Sequence, residues 1–535
     1  MSDGVATTPE REVAAEATQD VVVVGAGVAG LVVARDLATR GRRVLVLERA
    51  DRVGGCLASA QVAGLTVDVG AEAFATRSTA VPELLAELDL ADDVVPPSSA
   101  GAWLQLPDRA VPLPRTGMLG IPGSPWAADV RAAVGVLGAL RASLDRLLPA
   151  GVGLGPTTAR VDRAVRAAAA TDSPADLPET EAPRSTSLGH LVRRRQGRRV
   201  LDRLVTPVVS GVHAAHPDDA DLDAVLPGLR ERLAQHGSLG AAVTAMRAAA
   251  PAGSAVAGLH GGMHRLVGAL LADARACGVE VRTGVEVTAL TSDDGGWSLT
   301  VRDGARGDAA TTDSTAPRRS EADRATVLRA PQVVLAVPGP VALRLLGDLV
   351  PPAAGRALGA SAGTATGTTS VTDTDTGVEL VTLVLDAPEL DAAPRGTGVL
   401  VAPGTPGVTA KALTHATAKW PWLAEAAGPG RHVVRLSYGG ARRTHALDDD
   451  APLATALADA ATLLGVRLTA DRVAGWTRTP WPAGLPQVLP GHRDRVAAVR
   501  RALEGRPGLA ACGAWLAGTG LVAVVADARA LATRL

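Results

Sequence analysis

Monocyclic aromatics are almost absent: the 535 residues hold one tyrosine, Tyr438, and one phenylalanine, Phe74. That leaves little from which to build a site of paired phenyl and phenol rings. Lysine is nearly as scarce, since of 54 lysines and arginines only Lys411 and Lys419 are lysine. Arginine served wherever a cation sufficed. Two lysines eight positions apart are therefore either candidates for a specific role or chance residues of a surface hairpin. The three cysteines, Cys56, Cys277 and Cys512, are far apart, which argues against a disulfide framework and fits a reducing cytoplasm. No run of 18 or more apolar residues occurs, so no transmembrane helix is expected, a test that leaves peripheral membrane contact open. A net charge of −1 gives no electrostatic footprint for a nucleic-acid partner. Residues 1–18 carry acids and lack an apolar core, and so read as a tail, not a signal peptide.

A chain that is 47% hydrophobic and 20% charged is globular, and its length asks for two or three domains. Its most informative stretch is Val21 to Gly30, VVVVGAGVAG, followed eighteen residues later by Glu48 at the end of VLVLE. Val21 to Val24 suits a strand buried on both faces of a parallel sheet. Gly25 permits the tight turn, Gly27 lets the backbone approach a pyrophosphate, and Gly30 lets the next helix lie close to the strand. That helix, about Val28 to Arg40, puts Leu31, Ala34 and Leu37 inward and Arg35, Asp36 and Thr39 toward water. Its N-terminus offers free N–H groups to phosphates. Glu48 is spaced to accept hydrogen bonds from the adenosine ribose, and its charge disfavours a 2′-phosphate. A lone GxGxxG is weak evidence among 59 glycines. Between a strand, a helix and a correctly spaced acid it signals a dinucleotide.

The remaining segments alternate. Pro82 to Leu88 and Trp126 to Leu148 read as helices, and Ser187 to Val209 as a basic helix followed by an apolar one. The arginines of the basic helix (Arg193, Arg194, Arg195, Arg198 and Arg199) read as a solvated face, with membrane or substrate attraction as the minority reading. His264 to Ala276 is a helix, Val279 to Val287 a strand pair returning to the first sheet, and Val333 to Val337 a buried strand. Val378 to Leu385, Gly398 to Val401 and Val433 to Tyr438 suggest an antiparallel sheet. Leu509 to Gly513 is a strand running into Gly518-Thr519-Gly520, a second glycine turn that opens a helix. The expected architecture is α/β: a Rossmann-type dinucleotide-binding domain built from separated segments, with an inserted mixed-sheet substrate domain and a helical domain. Its pieces are 19–95, 256–340 with a polar loop at 303–324, and 471–535. The helical part lies within 96–255, around a linker-like insertion at 151–184, and the substrate sheet within 341–470.

Arg49-Ala50-Asp51-Arg52-Val53-Gly54-Gly55, read after the first unit, resembles the flavin amine oxidase superfamily. Val67-Asp68-Val69-Gly70-Ala71-Glu72-Ala73-Phe74-Ala75-Thr76-Arg77 is similar to a signature of its oxygen-dependent protoporphyrinogen and coproporphyrinogen III oxidases. Gly261-Gly262-Met263, the Lys411 to Pro421 stretch ending Lys419-Trp420-Pro421, and Leu485-Pro486-Gln487 with Pro490-Gly491-His492 extend that resemblance over nearly the whole chain. The resemblance implies FAD as the redox centre and oxidation of coproporphyrinogen III by O₂ in the cytoplasm, with protoporphyrinogen as the alternative substrate. It also implies that Gly25, Gly27, Val28, Ala29, Gly30, Glu48, Arg49, Gly54, Gly55, Gly70, Ala71 and Glu72 line FAD. Val287 would meet the adenine, and Thr519, Gly520, Leu521 and Val522 the pyrophosphate and flavin ring. Cys56 stands where a basic residue often follows the GG pair, and Trp515 to Gly520 departs from the usual YDGVG.

A flavin needs position, electrostatics and a shaped cavity from its protein, so no obligatory catalytic side chain is expected. A porphyrinogen is broad and apolar with carboxylates at its rim, and Arg77, Lys411 and Lys419 are the candidate cations to orient them. His213 and His216 lack the partners of a metal site, and none is expected. An amine oxidase is the nearest rival, a carotenoid desaturase a more distant one, and an FAD-binding scaffold the non-catalytic alternative.

Overall fold

The computed structural model describes residues 19–76, 78–115, 117–154, 186–213, 215–249, 256–293, 296–303, 325–351, 377–440, 447, 449–482, 489 and 491–535. The expected tail, the core of the 151–184 insertion, residues 304–324 of the polar loop and Arg77 lie outside them.

The first sheet is parallel throughout and gathers distant parts of the chain. It contains β1 (Val21–Val24), β2 (Val44–Glu48), β3 (Glu280–Thr283), β4 (Gln332–Leu335) and β5 (Leu509–Ala511), in the order β3-β2-β1-β4-β5. Every β1 side chain is buried, as a valine run covered on both faces should be. Helices α1 (Val28–Ala38), α2 (His264–Ala276) and α3 (Leu521–Arg534) share one apolar core beside it, while Val22, Val24, Leu45 and Leu47 face a second. The strand pair expected at 279–287 divides: β3 joins the first sheet, but Val285–Asp293 opens a separate three-stranded antiparallel sheet with Gly296–Asp303 and Ala325–Ala330.

Arg35 and Asp36 do not face water as expected. Arg35 is pinned by Asp273 of α2 at 2.7 Å and Glu87 at 2.5 Å, so the helix surface opposite the sheet is itself an interface. Helix periodicity identifies one apolar stripe and cannot show that neighbouring helices cover the polar one.

A seven-stranded sheet forms the second body. Its order is Val473–Trp481, Val378–Asp386, Arg431–Gly439, Ala412–His415, Gly398–Val401, Trp103–Gln105 and Ala110–Pro112. All neighbours are antiparallel except the parallel pairing of Val399 with Trp103, so the sheet is mixed. Val473–Trp481, assigned from sequence to the third nucleotide-binding piece, is an edge strand here. Tyr438 is fully buried on this sheet and donates its hydroxyl to Asp459 Oδ2 at 3.2 Å. Phe74 is also buried, so both monocyclic aromatics belong to the core.

The third body is helical, including Ala128–Ser143, kinked at Gly135, Leu188–Arg195, Leu229–His236 and Leu239–Ala248. Arg193, Arg194, Arg198 and Arg199 are exposed, as a solvated face requires, but Arg195 departs from that reading: it is completely buried and bonds Asp145 at 2.6 Å. Arg193 pairs with Asp218 and Arg198 with Asp202 at the surface.

Candidate functional site

The glycine turn separates glycines that the fold requires from one that it does not. Gly25 has φ +102°, and a Cβ there would lie 2.6 Å from the Ala336 carbonyl oxygen. A Cβ on Gly30 would lie 1.9 Å from the Gly25 carbonyl oxygen, so α1 could not approach β1 with any other residue. Gly54, at φ +99°, would drive a Cβ to within 2.7 Å of the Leu57 carbonyl oxygen. Gly27 differs. Its backbone is ordinary (φ −70°, ψ 175°), and the nearest atom to a Cβ there is Gly55 Cα at 4.0 Å. The protein's own contacts do not demand glycine at 27; a ligand lying against the turn would.

Glu48 ties the tip of β2 to this turn. Its Oε2 accepts the Ala26 N–H and its Oε1 the Ala50 N–H, each at 2.8 Å. Each oxygen keeps a second acceptor site for the hydroxyls of a ribose. Gly54 N–H donates to the Ala26 carbonyl at 2.8 Å, which docks the Gly54-Gly55 loop beside Gly27. Arg49 is exposed next to Glu48.

Three helices bring their N-termini to the same corner, at the carboxyl ends of the strands. Arg42 beyond the end of α1 reaches the terminal Leu535 carbonyl at 3.3 Å, and Arg40 reaches Thr533, so α1 and α3 run parallel. Val267, in the first turn of α2, faces Gly54. The N-cap of α1 is Gly27 and that of α3 is Gly520, and neither supplies a side-chain cap, which leaves their first N–H groups for a ligand. Thr519, Leu521 and Val522 are half-buried, and a Cβ on Gly518 or Gly520 would meet no atom within 4 Å. An elongated dinucleotide diphosphate fits this corner: open space over glycine, uncapped helix ends and an acid at ribose distance. Val287 is buried against β2 in the strand that follows β3, just before a bulge.

Beyond the corner lies a charged cluster. Glu72 accepts from Lys419 Nζ at 2.5 Å, and Arg435 Nη2 lies 3.1 Å from its other oxygen. Arg435 also donates to the Gly70 carbonyl at 2.8 Å and the Asp68 carbonyl at 3.1 Å. Burial alone would raise the Glu72 pKa. The charges of Arg435 and Lys419, with hydrogen bonds from Lys419 and Trp420, outweigh it and hold the carboxyl at about 2. Gly70 is needed where it stands, because a Cβ would meet the Cys56 carbonyl oxygen at 1.9 Å. Ala71 N–H donates to that same carbonyl.

Lys419 is thus engaged with Glu72, whereas the Lys411 ammonium meets no hydrogen-bonding partner among the described residues. Lys411 is 3% exposed, and burial pushes its pKa down to about 8. Sequence reasoning missed Arg435. A charged residue between the buried Val434 and Leu436 was the available signal. His216 caps a turn by accepting the Asp218 N–H at its Nδ1, and the side chain of His213 lies outside the description.

Replacing Lys419 by methionine should cost about 2 kcal/mol at neutral pH, because one of two compensating cations leaves a buried carboxylate. A depressed folded-state pKa contributes stability above the unfolded value, near 4.5, that is lost as the pH falls toward 2. The Lys419→Met deficit should therefore be full at pH 7 and shrink toward pH 2, as read by unfolding at both ends. A deficit independent of pH would remove Glu72 from the explanation.

Parallel strands, a glycine turn under a helix N-terminus and an acid at the tip of β2 define a dinucleotide-binding protein. The profile of the flavin containing amine oxidoreductase family matches residues 28–534, and the chain belongs to that family. It is a flavin oxidoreductase, and its cofactor is FAD. The chain is 30% identical over 517 residues to a coproporphyrinogen III oxidase of Mycobacterium tuberculosis, covering 95% of each. A coproporphyrinogen III oxidase of Bacillus subtilis is 22% identical over 520 residues, covering 94% of each. Among solved structures, a protein from Exiguobacterium provisionally named protoporphyrinogen oxidase superposes with TM-score 0.72 at 22% identity, covering 97% of this chain and 98% of that one. A putrescine oxidase bound to putrescine gives 0.60 at 17% identity, covering 97% and 99%.

Proposed function

We propose that the protein oxidises coproporphyrinogen III to coproporphyrin III in haem synthesis, three O₂ becoming three H₂O₂. The observation that carries this reading is the end-to-end similarity, at 30% identity, to a protein named coproporphyrinogen III oxidase. FAD held by these residues would supply the hydride acceptor and the route for electrons to O₂. The chain's own residues then have three tasks. Gly25, Gly27, Val28, Ala29, Gly30, Glu48, Arg49, Gly54 and Gly55 hold the nucleotide half, with Val287 at the adenine. Thr519, Gly520, Leu521 and Val522 hold the pyrophosphate and ring end. Gly70, Ala71 and Glu72, braced by Arg435 and Lys419, form the wall beyond. No side-chain base is assigned. The burial of Tyr438 and Phe74 in the core favours a porphyrinogen over an amine bracketed between two rings of their kind. The free thiols of Cys56, Cys277 and Cys512 fit reaction in the cytoplasm.

Lys411 is assigned to a substrate propionate, as is Arg77. A buried ammonium without a partner is costly unless an anion arrives to pair with it. Its penalty on folding is full below pH 8 and is relieved as the pH rises toward the unfolded value near 10.5. Lys411→Met should leave the protein as stable or more so, and should raise KM for coproporphyrinogen by about tenfold, or ~1.4 kcal/mol. In the unaltered enzyme KM should climb above pH 8, and in the variant it should not. An unchanged KM would remove Lys411 from the site.

The reading itself is tested by offering coproporphyrinogen III, protoporphyrinogen IX and putrescine to FAD-loaded protein, following porphyrin fluorescence and anaerobic flavin bleaching. Coproporphyrinogen should be turned over fastest. Equal or faster turnover of protoporphyrinogen would reassign the substrate, and bleaching by putrescine alone would reassign the enzyme class.

A further inference from the structure

On the seven-stranded sheet, away from the charged wall, three side chains converge. His432 lies in the strand Arg431–Gly439, three residues before Arg435, and His415 is in register with Val434. Alternation along the strands puts both imidazoles on the face opposite Arg435. His415 Nε2 stands 3.1 Å from His432 Nδ1, and Thr417 Oγ1 stands 3.2 Å from that same nitrogen. His415 is fully buried, and His432 and Thr417 are nearly so. All three line a cavity of about 390 Å³, together with Asp391, Glu425 and Arg431. Arg431 is already paired with Asp386 at 2.7 Å.

The hydrogens of this cluster do not close among themselves. Asp391 Oδ1 lies 2.9 Å from His432 Nε2 and also accepts the Gly430 N–H at 3.0 Å. An ionised carboxylate only accepts, so the His432 proton sits on Nε2 and Nδ1 presents its single lone pair. Two neighbours compete for that lone pair, His415 Nε2 and the Thr417 hydroxyl, whose oxygen accepts the Val433 N–H at 3.3 Å. With its proton on Nε2, His415 joins that competition. With its proton on Nδ1, it sets a second lone pair against the first at 3.1 Å, and its Nδ1 has no partner among the described residues in either case. Burial pushes both imidazole pKa values down, that of His415 to about 4, so a further proton is no remedy at neutral pH. A cation between the facing lone pairs is one.

We propose that His415 Nε2, His432 Nδ1 and Thr417 Oγ1 bind a late first-row divalent cation, Zn²⁺ or one like it, with a cavity water as the fourth ligand. Tetrahedral ligands about 2.0–2.1 Å from zinc lie about 3.3 Å from one another, so the observed 3.1 and 3.2 Å need only a slight opening. The carboxylate behind His432 is what a ligating imidazole requires, since it fixes the tautomer and adds basicity. Neutral imidazoles select zinc, copper or nickel over magnesium. No three His, Cys, Asp or Glu side chains among the described residues are grouped for a metal, so the hydroxyl completes the trio and the affinity is moderate. Thr417 belongs to the short helix Ala416–Lys419, whose last residue holds Glu72, and the His432 strand carries Arg435. The cation would therefore clamp, from behind, the two elements that brace the charged wall. It is remote from the reacting atoms, and the inference does not depend on the substrate assignment.

The test uses the full-length, FAD-loaded, tag-free protein, stripped with a chelator and titrated calorimetrically with Zn²⁺ and separately with Mg²⁺. One Zn²⁺ per chain should bind in the micromolar range, and Mg²⁺ should not bind. His415→Gln and His432→Gln should each weaken Zn²⁺ by roughly a hundredfold. Zn²⁺ should raise the melting temperature of the parent and leave that of both variants unmoved. Co²⁺ in place of Zn²⁺ should give the intense red-region absorption of a tetrahedral site, at wavelengths where flavin does not absorb. Should the buried histidine variants fail to fold, Asp391→Ala at the half-exposed carboxylate keeps all three ligands and should still weaken Zn²⁺ about tenfold or more. Absence of Zn²⁺ binding, or Zn²⁺ binding undiminished in the folded histidine variants or in Asp391→Ala, would overturn the proposal. So would the weak spectrum of octahedral Co²⁺.

Discussion

Arg195→Met should destabilise the helical body by about 3–5 kcal/mol, the cost of removing one partner of a buried ion pair. The guanidinium sits at 0% exposure and uses its donors on several separate segments. It bonds Asp145 Oδ1 at 2.6 Å, the Pro149 carbonyl at 2.9 Å, the Val152 carbonyl at 3.2 Å and the Gly237 carbonyl at 2.8 Å. The other Asp145 oxygen accepts the Gly240 N–H at 3.0 Å, at the start of the Leu239–Ala248 helix. One side chain therefore closes the turn after the 3₁₀ segment Leu144–Leu147 and anchors two further helices. Methionine fills the volume, leaves Asp145 charged and half-satisfied, and orphans the carbonyls. Lysine should recover little, because a point charge cannot reproduce a planar fork of five donors. A body of this size should lose on the order of 10 °C in its melting transition. Pairing the change with Asp145→Asn should return part of the loss. Because the bodies can unfold separately, proteolysis within the helical body is the sharper readout. Melting within about 2 °C of the parent would show that this network carries little of the stability.

What could be read beforehand follows the range of the interactions. The nucleotide corner was legible because its determinants are local: a valine run, glycines at fixed offsets and an acid one strand later. The uncapped helix starts at Gly27 and Gly520 were visible in the same way. The charged wall was not. Glu72 and Lys419 lie 347 positions apart, and nothing along the chain marks them as partners. Lys419 was therefore expected to be free for a substrate carboxylate, and of the two lysines Lys411 alone has an ammonium without a partner among the described residues. Arg195 failed for a related reason: inside a basic run it looks like its neighbours, and its burial depends on Asp145 fifty residues earlier. Val473–Trp481 was misassigned because an edge strand with partly exposed residues on both faces has no clear alternation to announce its sheet.

Gly27→Ala should leave the apoprotein as stable as the parent, within about 0.5 kcal/mol, yet weaken FAD binding on the order of 100-fold, or ~2.7 kcal/mol. Gly30→Ala should do the reverse in kind, destabilising the apoprotein itself. The contrast follows from where each added methyl would go. At Gly30 it meets the Gly25 carbonyl oxygen at 1.9 Å, backbone against backbone, so β1 and α1 must separate. At Gly27 it finds no atom closer than 4.0 Å and a φ that any residue adopts, so the fold accepts it and only a ligand can object. A methyl there stands between the diphosphate and the first N–H groups of α1, where charge-assisted hydrogen bonds are strongest. Melting of the flavin-free proteins separates the two variants first, and quenching of flavin fluorescence on titration then gives the affinities. If Gly27→Ala binds FAD as tightly as the parent, the diphosphate does not lie against this turn. In that event the assignment of Glu48 to the ribose falls with it, since the two are joined through the Ala26 N–H.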